Sequence, residues 1–199
     1  MPAPIIYYMR HSETDWNVEG RLQGGIDTPL NELGLTQAAH AGRVLADLFN
    51  RRGLDASNLA FVASPLQRAR ITMDIVRAEL KLPPGGYALD DRLREIGYGH
   101  WEGSTLAQMQ ASDPQLFASR QIDKWAVPPP GGESYASVQA RMSDWYNQVT
   151  ADTVAVAHGG TARALMVALG IETPARASDL YIEQGVVYLF SNGGVTKYS

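Results

Sequence analysis

The sequence predicts an α/β fold in which a mainly parallel central sheet is flanked by helices on both faces, a three-layer sandwich. Short apolar runs alternate with amphipathic helical stretches along the chain, which is typical of strands joined by crossover helices. Polar clusters directly follow three of those runs. The length of 199 residues suits a single domain over 1–199. The chain contains no cysteine, which excludes thiol catalysis and disulfides.

Apolar periodicity sets the order of the predicted elements. Apolar runs of a few residues predict strands, and apolar residues at helical spacing predict helices. Thr36 is expected to cap the first long helix, and Ser64-Pro65 is expected to start the next one. The predicted strands cover 5–9, 60–63, 87–89, 153–157 and 179–198, the last with a turn at 193–194. The predicted helices cover 37–50, 65–80, 104–111, 134–149 and the stretch after 160.

The composition narrows the classes of partner. A net charge of −4 argues against a nucleic-acid binder, since binding to a phosphate backbone needs a concentrated basic surface. No apolar run approaches the length of a membrane span, and the first residues do not resemble a signal peptide. We therefore expect a cytoplasmic protein without a membrane partner. The sequence leaves the oligomeric state open, with a homodimer as one option.

Three polar clusters are expected to converge at one edge of the sheet. His11 follows the first predicted strand, Ser64 with Arg68 follows the second, and His158 follows the fourth. In parallel α/β sheets, ligands bind beyond the carboxyl ends of the strands. Two of the clusters also open helices, whose unpaired N–H groups attract anions. The sequence therefore predicts an anion site at this edge.

The residue types at this edge suit phosphoryl transfer. A neutral imidazole at His11 can attack phosphorus, while Arg10 beside it neutralises the charge of the phosphate. The planar guanidinium of Arg68 can bind two phosphate oxygens. The glycines after His158 allow the backbone to approach an anion closely. We therefore expect His11 to accept a phosphoryl group from a phosphomonoester.

The same reaction needs a proton donor for the leaving oxygen. Glu95 and Glu102 are the candidates, and the residue pattern alone does not rank them. His40, within a predicted helix, and His100 do not follow a strand, so we expect no catalytic role for either.

Several motifs together carry a resemblance to a known family. They are Arg10-His11-Ser12-Glu13-Thr14-Asp15-Trp16-Asn17, Gly20-Arg21-Leu22-Gln23-Gly24, Asp27-Thr28-Pro29-Leu30-Asn31, Ser64-Pro65-Leu66-Gln67-Arg68-Ala69, Glu95 with Gly99-x-Trp101-Glu102-Gly103, Gly131-Gly132-Glu133-Ser134 and His158-Gly159-Gly160-Thr161-x-Arg163-Ala164-Leu165. In this order the chain resembles the histidine phosphatase superfamily, the phosphoglycerate mutase-like proteins. The visible departure is Ser12, where that family usually has glycine.

The resemblance implies a role for each residue. His11 is the nucleophile and becomes phosphohistidine, and Glu95 is the proton donor that later activates water. Glu102 has a structural role, and the family uses no metal or other cofactor. The resemblance implies that Arg10, Arg68 and His158 bind the phosphate and take part in catalysis. It implies a phosphate-binding role for Asn17, Gln23, Gly24 and Gly159.

The resemblance leaves alternatives among functions. Cofactor-dependent mutases of the family have a long insertion after the acidic glutamate and the sequence His-Gly-Asn-Ser at the second histidine. This chain has about 38 residues between Glu95 and Glu133 and reads His158-Gly159-Gly160-Thr161, which favours a phosphatase acting on a small phosphorylated metabolite. The alternatives are a phosphoglycerate mutase and a catalytically silent phosphate-binding protein. A metal-dependent hydrolase is weaker, because Arg10 and Arg68 would repel the cation.

The segment 97–133 is the least regular part of the sequence and is expected to form a lid over the pocket. Together with 18–31 it carries the residues expected to select the substrate. The candidates are Arg21, Gln23, Tyr98, Trp101, Trp125 and the run 128–130.

Overall fold

In the computed structural model, which describes residues 3–199, one sheet of six strands forms the centre of the fold. The sheet has the order β3-β2-β4-β1-β5-β6, in which β1 to β4 are parallel and the last two strands are antiparallel. The strands are β1 (Ile6–Arg10), β2 (Ala60–Ala63), β3 (Ala88–Leu89), β4 (Thr153–Ala157), β5 (Val187–Ser191) and β6 (Gly194–Tyr198). The mainly parallel α/β fold is thus confirmed, and residues 1 and 2 of the predicted domain lie outside the described part.

Helices cover both faces of the sheet. Tyr7 and Met9 belong to the core on one face, whereas Tyr8 belongs to the core on the other, because successive side chains of a strand alternate. The helices α2 and α3 pack on the first face, and α6 and α7 pack on the second. The helices are α1 (Asp15–Val18), α2 (Glu32–Arg52), α3 (Gln67–Glu79), α4 (Leu106–Ser112), α5 (Pro114–Ile122), α6 (Tyr135–Asn147), α7 (Gly159–Ala168) and α8 (Pro174–Ala177).

The central strands are buried on both sides, which explains their continuous apolar sequence. Every residue of β4 is buried between β1 and β2. Strands that are covered by helices on both faces read as apolar runs rather than as alternating patterns. The carboxyl ends of β1, β2 and β4 therefore lie side by side at one edge of the sheet.

Both predicted helix starts are wrong. Asn31 caps α2, since its Oδ1 accepts from the N–H of Gly34 at 2.8 Å, and Thr36 lies inside the helix with its hydroxyl bonded to the carbonyl of Glu32. The chain bends at Pro65 and Leu66 after Ser64, so α3 begins only at Gln67. Ser64 therefore lies before the helix, and its hydroxyl is available for a contact outside α3.

The segment 97–133 also differs in part from its prediction. The predicted helix at 104–111 corresponds to α4, but α5 follows it directly and was missed. Asp113 caps α5, and Pro114 occupies its first turn. The ends of the segment are joined because the N–H of Glu133 donates to the carbonyl of Gly97 at 2.8 Å.

The C-terminal stretch contains fewer strand residues than predicted. β5 and β6 occupy only the second part of 179–198, joined by a turn that includes Gly193. No helix among the described residues is long and apolar enough to cross a membrane.

Candidate active site

A cavity of about 200 Å³ opens at the edge of the sheet where β1, β2 and β4 end. It brings together seven of the nine residues predicted for the site, while His158 and Gly24 lie just behind its wall. The residues that line it are Arg10, His11, Asn17, Arg21, Leu22, Gln23, Arg68, Glu95, Tyr98, Gly159, Arg163 and Tyr181.

His11 is fixed in one orientation at the end of β1. Its backbone N–H donates to the carbonyl of Ala157 at 2.8 Å, which continues the pairing between β1 and β4. Its ring Nδ1 lies 2.8 Å from the carbonyl oxygen of Ser12. Because a carbonyl oxygen only accepts, we assign the proton to Nδ1. The neutral ring therefore keeps a lone pair on Nε2.

His158 lies beside His11, and the two ring centroids are 5.2 Å apart. Its Nε2 is 2.7 Å from the hydroxyl of Ser64, and its Nδ1 is buried without a partner among residues 3–199. The hydroxyl of Tyr8 donates to the carbonyl of His158 at 2.7 Å and fixes its backbone. A buried ring nitrogen without a partner is costly unless a ligand pairs with it.

Four arginines line the cavity, and two of them, Arg10 and Arg68, each keep one buried nitrogen without a partner among residues 3–199. Arg68 is fully buried and donates to the carbonyls of Gly24 and Ile26 at 2.9 and 2.7 Å. Arg10 donates to the carbonyl of Ile182 at 2.8 Å. The Nε of each has no partner in the described part of the chain. Burial lowers the pKa of Arg68 to about 10, so it stays charged at neutral pH.

Both histidines are held in the neutral form. Burial lowers the pKa of His11 well below its ordinary value, and the charges of Arg10 and Arg68 lower it further. Burial has the same effect on the pKa of His158, again reinforced by Arg68. The imidazole of His11 is therefore unprotonated, as a nucleophile requires.

The structure separates the two glutamates that the sequence could not rank. Glu95 lines the cavity, and its Oε1 accepts from the N–H groups of Gly160 at 3.0 Å and Ile96 at 2.9 Å. Glu102 lies outside the cavity, where its Oε1 accepts from the N–H groups of Gly25 at 3.0 Å and Tyr98 at 3.1 Å. Of the two glutamates, Glu95 is the one that lines the cavity.

The supporting residues predicted from the sequence lie at the same cavity. Asn17 holds its position through Gln184, whose Nε2 donates to Asn17 Oδ1 at 3.0 Å. Gln23 is buried against the hydroxyl of Thr28. Gly24 contributes its carbonyl to Arg68 rather than a surface to the cavity.

Ser12, which departs from the family pattern, is buried beside His11, and its N–H donates to the hydroxyl of Thr72 at 3.1 Å. Its own hydroxyl has no hydrogen-bond partner among residues 3–199.

The sequence left part of the site unpredicted. Ser64 is expected at this edge of the sheet as a helix cap, and the contact of its hydroxyl with His158 was not predicted. Arg163 and Tyr181 line the cavity without having been named as site candidates. Arg163 belongs to the motif around the second histidine, which was the available signal. Among the described residues, no group of three or more His, Cys, Asp or Glu side chains could hold a metal ion.

The neutral histidines predict a pH dependence of stability. The unfolded chain binds protons on these rings below about pH 6.5, whereas the folded protein does not, so the free energy of unfolding falls as pH drops. For His11→Gln or His158→Gln we expect the slope of that free energy between pH 6 and pH 5 to decrease by about 1 kcal/mol per pH unit. Urea unfolding at a series of pH values measures this slope.

The matched control is His40→Gln, which removes an exposed imidazole of α2 and should leave the wild-type slope in place. Equal slopes for wild type, His11→Gln and His158→Gln would contradict the assignment of neutral buried rings.

Comparison with known proteins identifies the family to which the chain belongs. The sequence profile of the histidine phosphatase superfamily (branch 1) matches residues 6–193. Glucosyl-3-phosphoglycerate phosphatase of Mycobacterium tuberculosis (strain ATCC 25618 / H37Rv) is 37% identical over 183 residues, covering 85% of this chain and 76% of that protein. A 2,3-bisphosphoglycerate-dependent phosphoglycerate mutase of Beijerinckia indica subsp. indica is 30% identical over 200 residues, covering 94% of this chain and 90% of that protein.

Solved structures give the same result. The mycobacterial glucosyl-3-phosphoglycerate phosphatase in complex with VO3 superposes with a TM-score of 0.78 at 33% identity, over 95% of this chain and 93% of that one. YhfR of Bacillus stearothermophilus superposes with a TM-score of 0.78 at 30% identity, over 98% and 95% of the two chains. The chain belongs to the histidine phosphatase superfamily.

Proposed function

We propose that the protein is a metal-independent phosphomonoesterase that hydrolyses a small phosphorylated metabolite through a phosphohistidine at His11. One observation carries this proposal. Three buried nitrogens without partners, Arg10 Nε, Arg68 Nε and His158 Nδ1, lie on residues at or directly behind the wall of the cavity that also contains His11 and Glu95. A phosphoryl group supplies the acceptor oxygens and the negative charge that these donors require.

The phosphoryl group binds between the two arginines and His158. The Ser64 hydroxyl already accepts from the N–H of Leu66 at 3.3 Å, so its own proton is available to donate to His158 Nε2. We therefore assign the His158 proton to Nδ1, from which it donates to a phosphoryl oxygen. As charge moves onto the phosphoryl oxygens during transfer, these fixed donors stabilise it.

The first step transfers the phosphoryl group to His11. Nε2 attacks phosphorus in line with the leaving oxygen, and the P–O bond to the alcohol breaks. Glu95 gives its proton to the leaving oxygen, which departs as the free alcohol. Both backbone bonds to Glu95 go to Oε1, so Oε2 is the atom that holds and donates the proton.

The second step returns the enzyme to its starting state. The Glu95 carboxylate takes a proton from a water molecule, whose oxygen attacks the phosphorus of phosphohistidine. The P–N bond breaks, His11 recovers its lone pair, and inorganic phosphate leaves. The two steps together consume one phosphomonoester and one water and release one alcohol and one phosphate.

Water rather than a second metabolite is the proposed acceptor. The segment between Glu95 and Glu133 is short, and the second histidine is followed by Gly159-Gly160-Thr161, as the phosphatase interpretation expects. The relatives named as glucosyl-3-phosphoglycerate phosphatases support hydrolysis of a phosphorylated metabolite. The lid role of 97–133, the cytoplasmic location, the homodimer and the lack of nucleic-acid and membrane partners stay predictions.

The proposal predicts phosphate release without a metal. Wild type should release phosphate from p-nitrophenyl phosphate and from members of a panel of phosphorylated metabolites, equally well with and without a chelator, and vanadate should inhibit it. His11→Ala should lose at least about 10³-fold in kcat, because it removes the nucleophile. A panel without release combined with fast interconversion of 2- and 3-phosphoglycerate would instead identify a mutase.

A neighbouring pair of glycines tests the role of Glu95. A Cβ at position 160 would lie 2.3 Å from Glu95 Oε1, whereas a Cβ at position 159 would meet Arg10 Nε at 3.6 Å, an ordinary contact. Gly160→Ala should therefore displace the carboxyl and lower kcat by about 10²-fold, and Gly159→Ala should lower it much less. Steady-state kinetics of both variants measure this difference.

The leaving group sharpens this test. An alkoxide needs a proton to depart more than p-nitrophenolate does, so Gly160→Ala should lose more activity on an alkyl phosphate than on p-nitrophenyl phosphate. Equal losses on both substrates would count against Glu95 as the proton donor.

A further inference from the structure

A second cavity, here called the side chamber, adjoins the catalytic cavity. It has a volume of about 220 Å³ and shares Leu22, Tyr98 and Arg163 with the catalytic cavity. Because these residues border both spaces, the side chamber lies directly beside the cavity that contains His11. The chamber lies mainly under α4 and α5 of the 97–133 segment.

Most of the chamber wall is apolar or aromatic. Trp101 and Met109 are buried, and the rings of Trp101 and Phe117 lie 6.4 Å apart. Tyr135 also lines the chamber, and its ring stacks on Trp125 with ring centroids 5.2 Å apart. Such walls suit the carbon skeleton of a small leaving group.

One charged group in this wall has no counterpart. Arg120, on α5, is 9% exposed, and its Nε and Nη2 are shielded from solvent without a hydrogen-bond partner among the described residues. Its guanidinium carbon lies 5.7 Å from the centre of the Tyr98 ring. None of the described residues that line the side chamber is an Asp or a Glu.

The two other cations of the chamber are already engaged. Lys124 pairs with Asp179. Arg163 donates to the carbonyl of Leu180 at 2.7 Å and to the hydroxyl of Tyr135 at 2.9 Å. Arg120 is therefore the cation of this wall that lacks both an ion pair and a hydrogen bond within residues 3–199. A buried guanidinium without a partner is costly, which indicates that an anionic ligand completes it.

We propose that the side chamber binds the leaving group of the substrate and that Arg120 pairs with a carboxylate on that group. The preferred substrate is then a phosphorylated hydroxy acid rather than a neutral alkyl phosphate. A carboxylate suits the position because it can accept two parallel bonds from Nε and Nη2 of one guanidinium. This inference rests on the proposed phosphomonoesterase activity, since it concerns the leaving group of that reaction.

The test compares substrates that differ in a single carboxylate. The phosphate monoesters of 3-hydroxypropionate and 6-hydroxyhexanoate carry the acid at two distances from the phosphate, and propyl and hexyl phosphate are their neutral counterparts. For wild type we expect kcat/KM to be at least about 10-fold higher for the acid at one or both lengths, the scale of one charge-assisted hydrogen bond.

Variants of Arg120 test whether this residue causes the preference for the acid over the neutral substrate. Arg120→Gln should lower kcat/KM for the preferred acid by about 10- to 100-fold and reduce the ratio of acid to neutral substrate towards one. Arg120→Lys should keep part of the ratio because it keeps the charge. Arg51→Gln removes an exposed arginine that pairs with Asp47, so it serves as the control and should keep the full ratio.

Two results would overturn the inference while leaving the phosphatase proposal intact. One is hydrolysis of acid and neutral esters by wild type with equal kcat/KM at both lengths. The other is an equal loss on both classes in Arg120→Gln, which would mean that Arg120 only supports the fold of the segment. Absence of any hydrolysis, including that of p-nitrophenyl phosphate, would instead overturn the phosphatase proposal itself.

Discussion

Arg68 and Arg10 place two positive charges in the protein interior beside two histidines. The free energy cost of burying these charges is the constraint on which the rest of the site depends. Within residues 3–199, the cavity wall contains one carboxylate, Glu95, so the positive charge is only partly balanced. Burial lowers the pKa of both rings, and this excess charge lowers it further, so His11 stays neutral. The excess charge also leaves donors without partners that a phosphoryl group can satisfy. Nucleophile activation and substrate binding therefore follow from the same constraint.

The surrounding loops are arranged to hold these charges in place. The carbonyls of Gly24 and Ile26 accept from Arg68, which fixes the loop after α1 against the start of α3. Glu102 connects the same loop to the 97–133 segment, because its carboxylate accepts from the N–H groups of Gly25 and Tyr98. Gly24 has a φ of 53° and lies so close to Glu102 that a Cβ there would be 2.1 Å from its Oε1. Hydrogen bonds through this loop thus join Arg68 of the phosphate cavity to Tyr98 of the side chamber.

The sequence predicted the sheet edge better than it predicted the contacts at that edge. The convergence of His11, Arg68 and His158 follows from parallel strands alone, because their carboxyl ends must meet. The contact between Ser64 and His158 was missed, since Ser-Pro is also a common helix start and the chain direction after it depends on tertiary packing. Glu95 and Glu102 could not be ranked because both lie in irregular backbone. The isolation of Arg120 is a property of its neighbours in space and has no local sequence signal.

The central claim is that His11 carries the phosphoryl group between the two steps, and covalent trapping tests it most directly. Glu95→Gln retains binding but lacks the base that activates water, and p-nitrophenyl phosphate needs little help from an acid to release its alcohol. After rapid mixing of the two and an alkaline quench, peptide mapping by mass spectrometry should find one phosphoryl group on His11. Phosphate on His158 or another residue, or no covalent phosphate at any time while the variant still forms p-nitrophenol, would contradict the account.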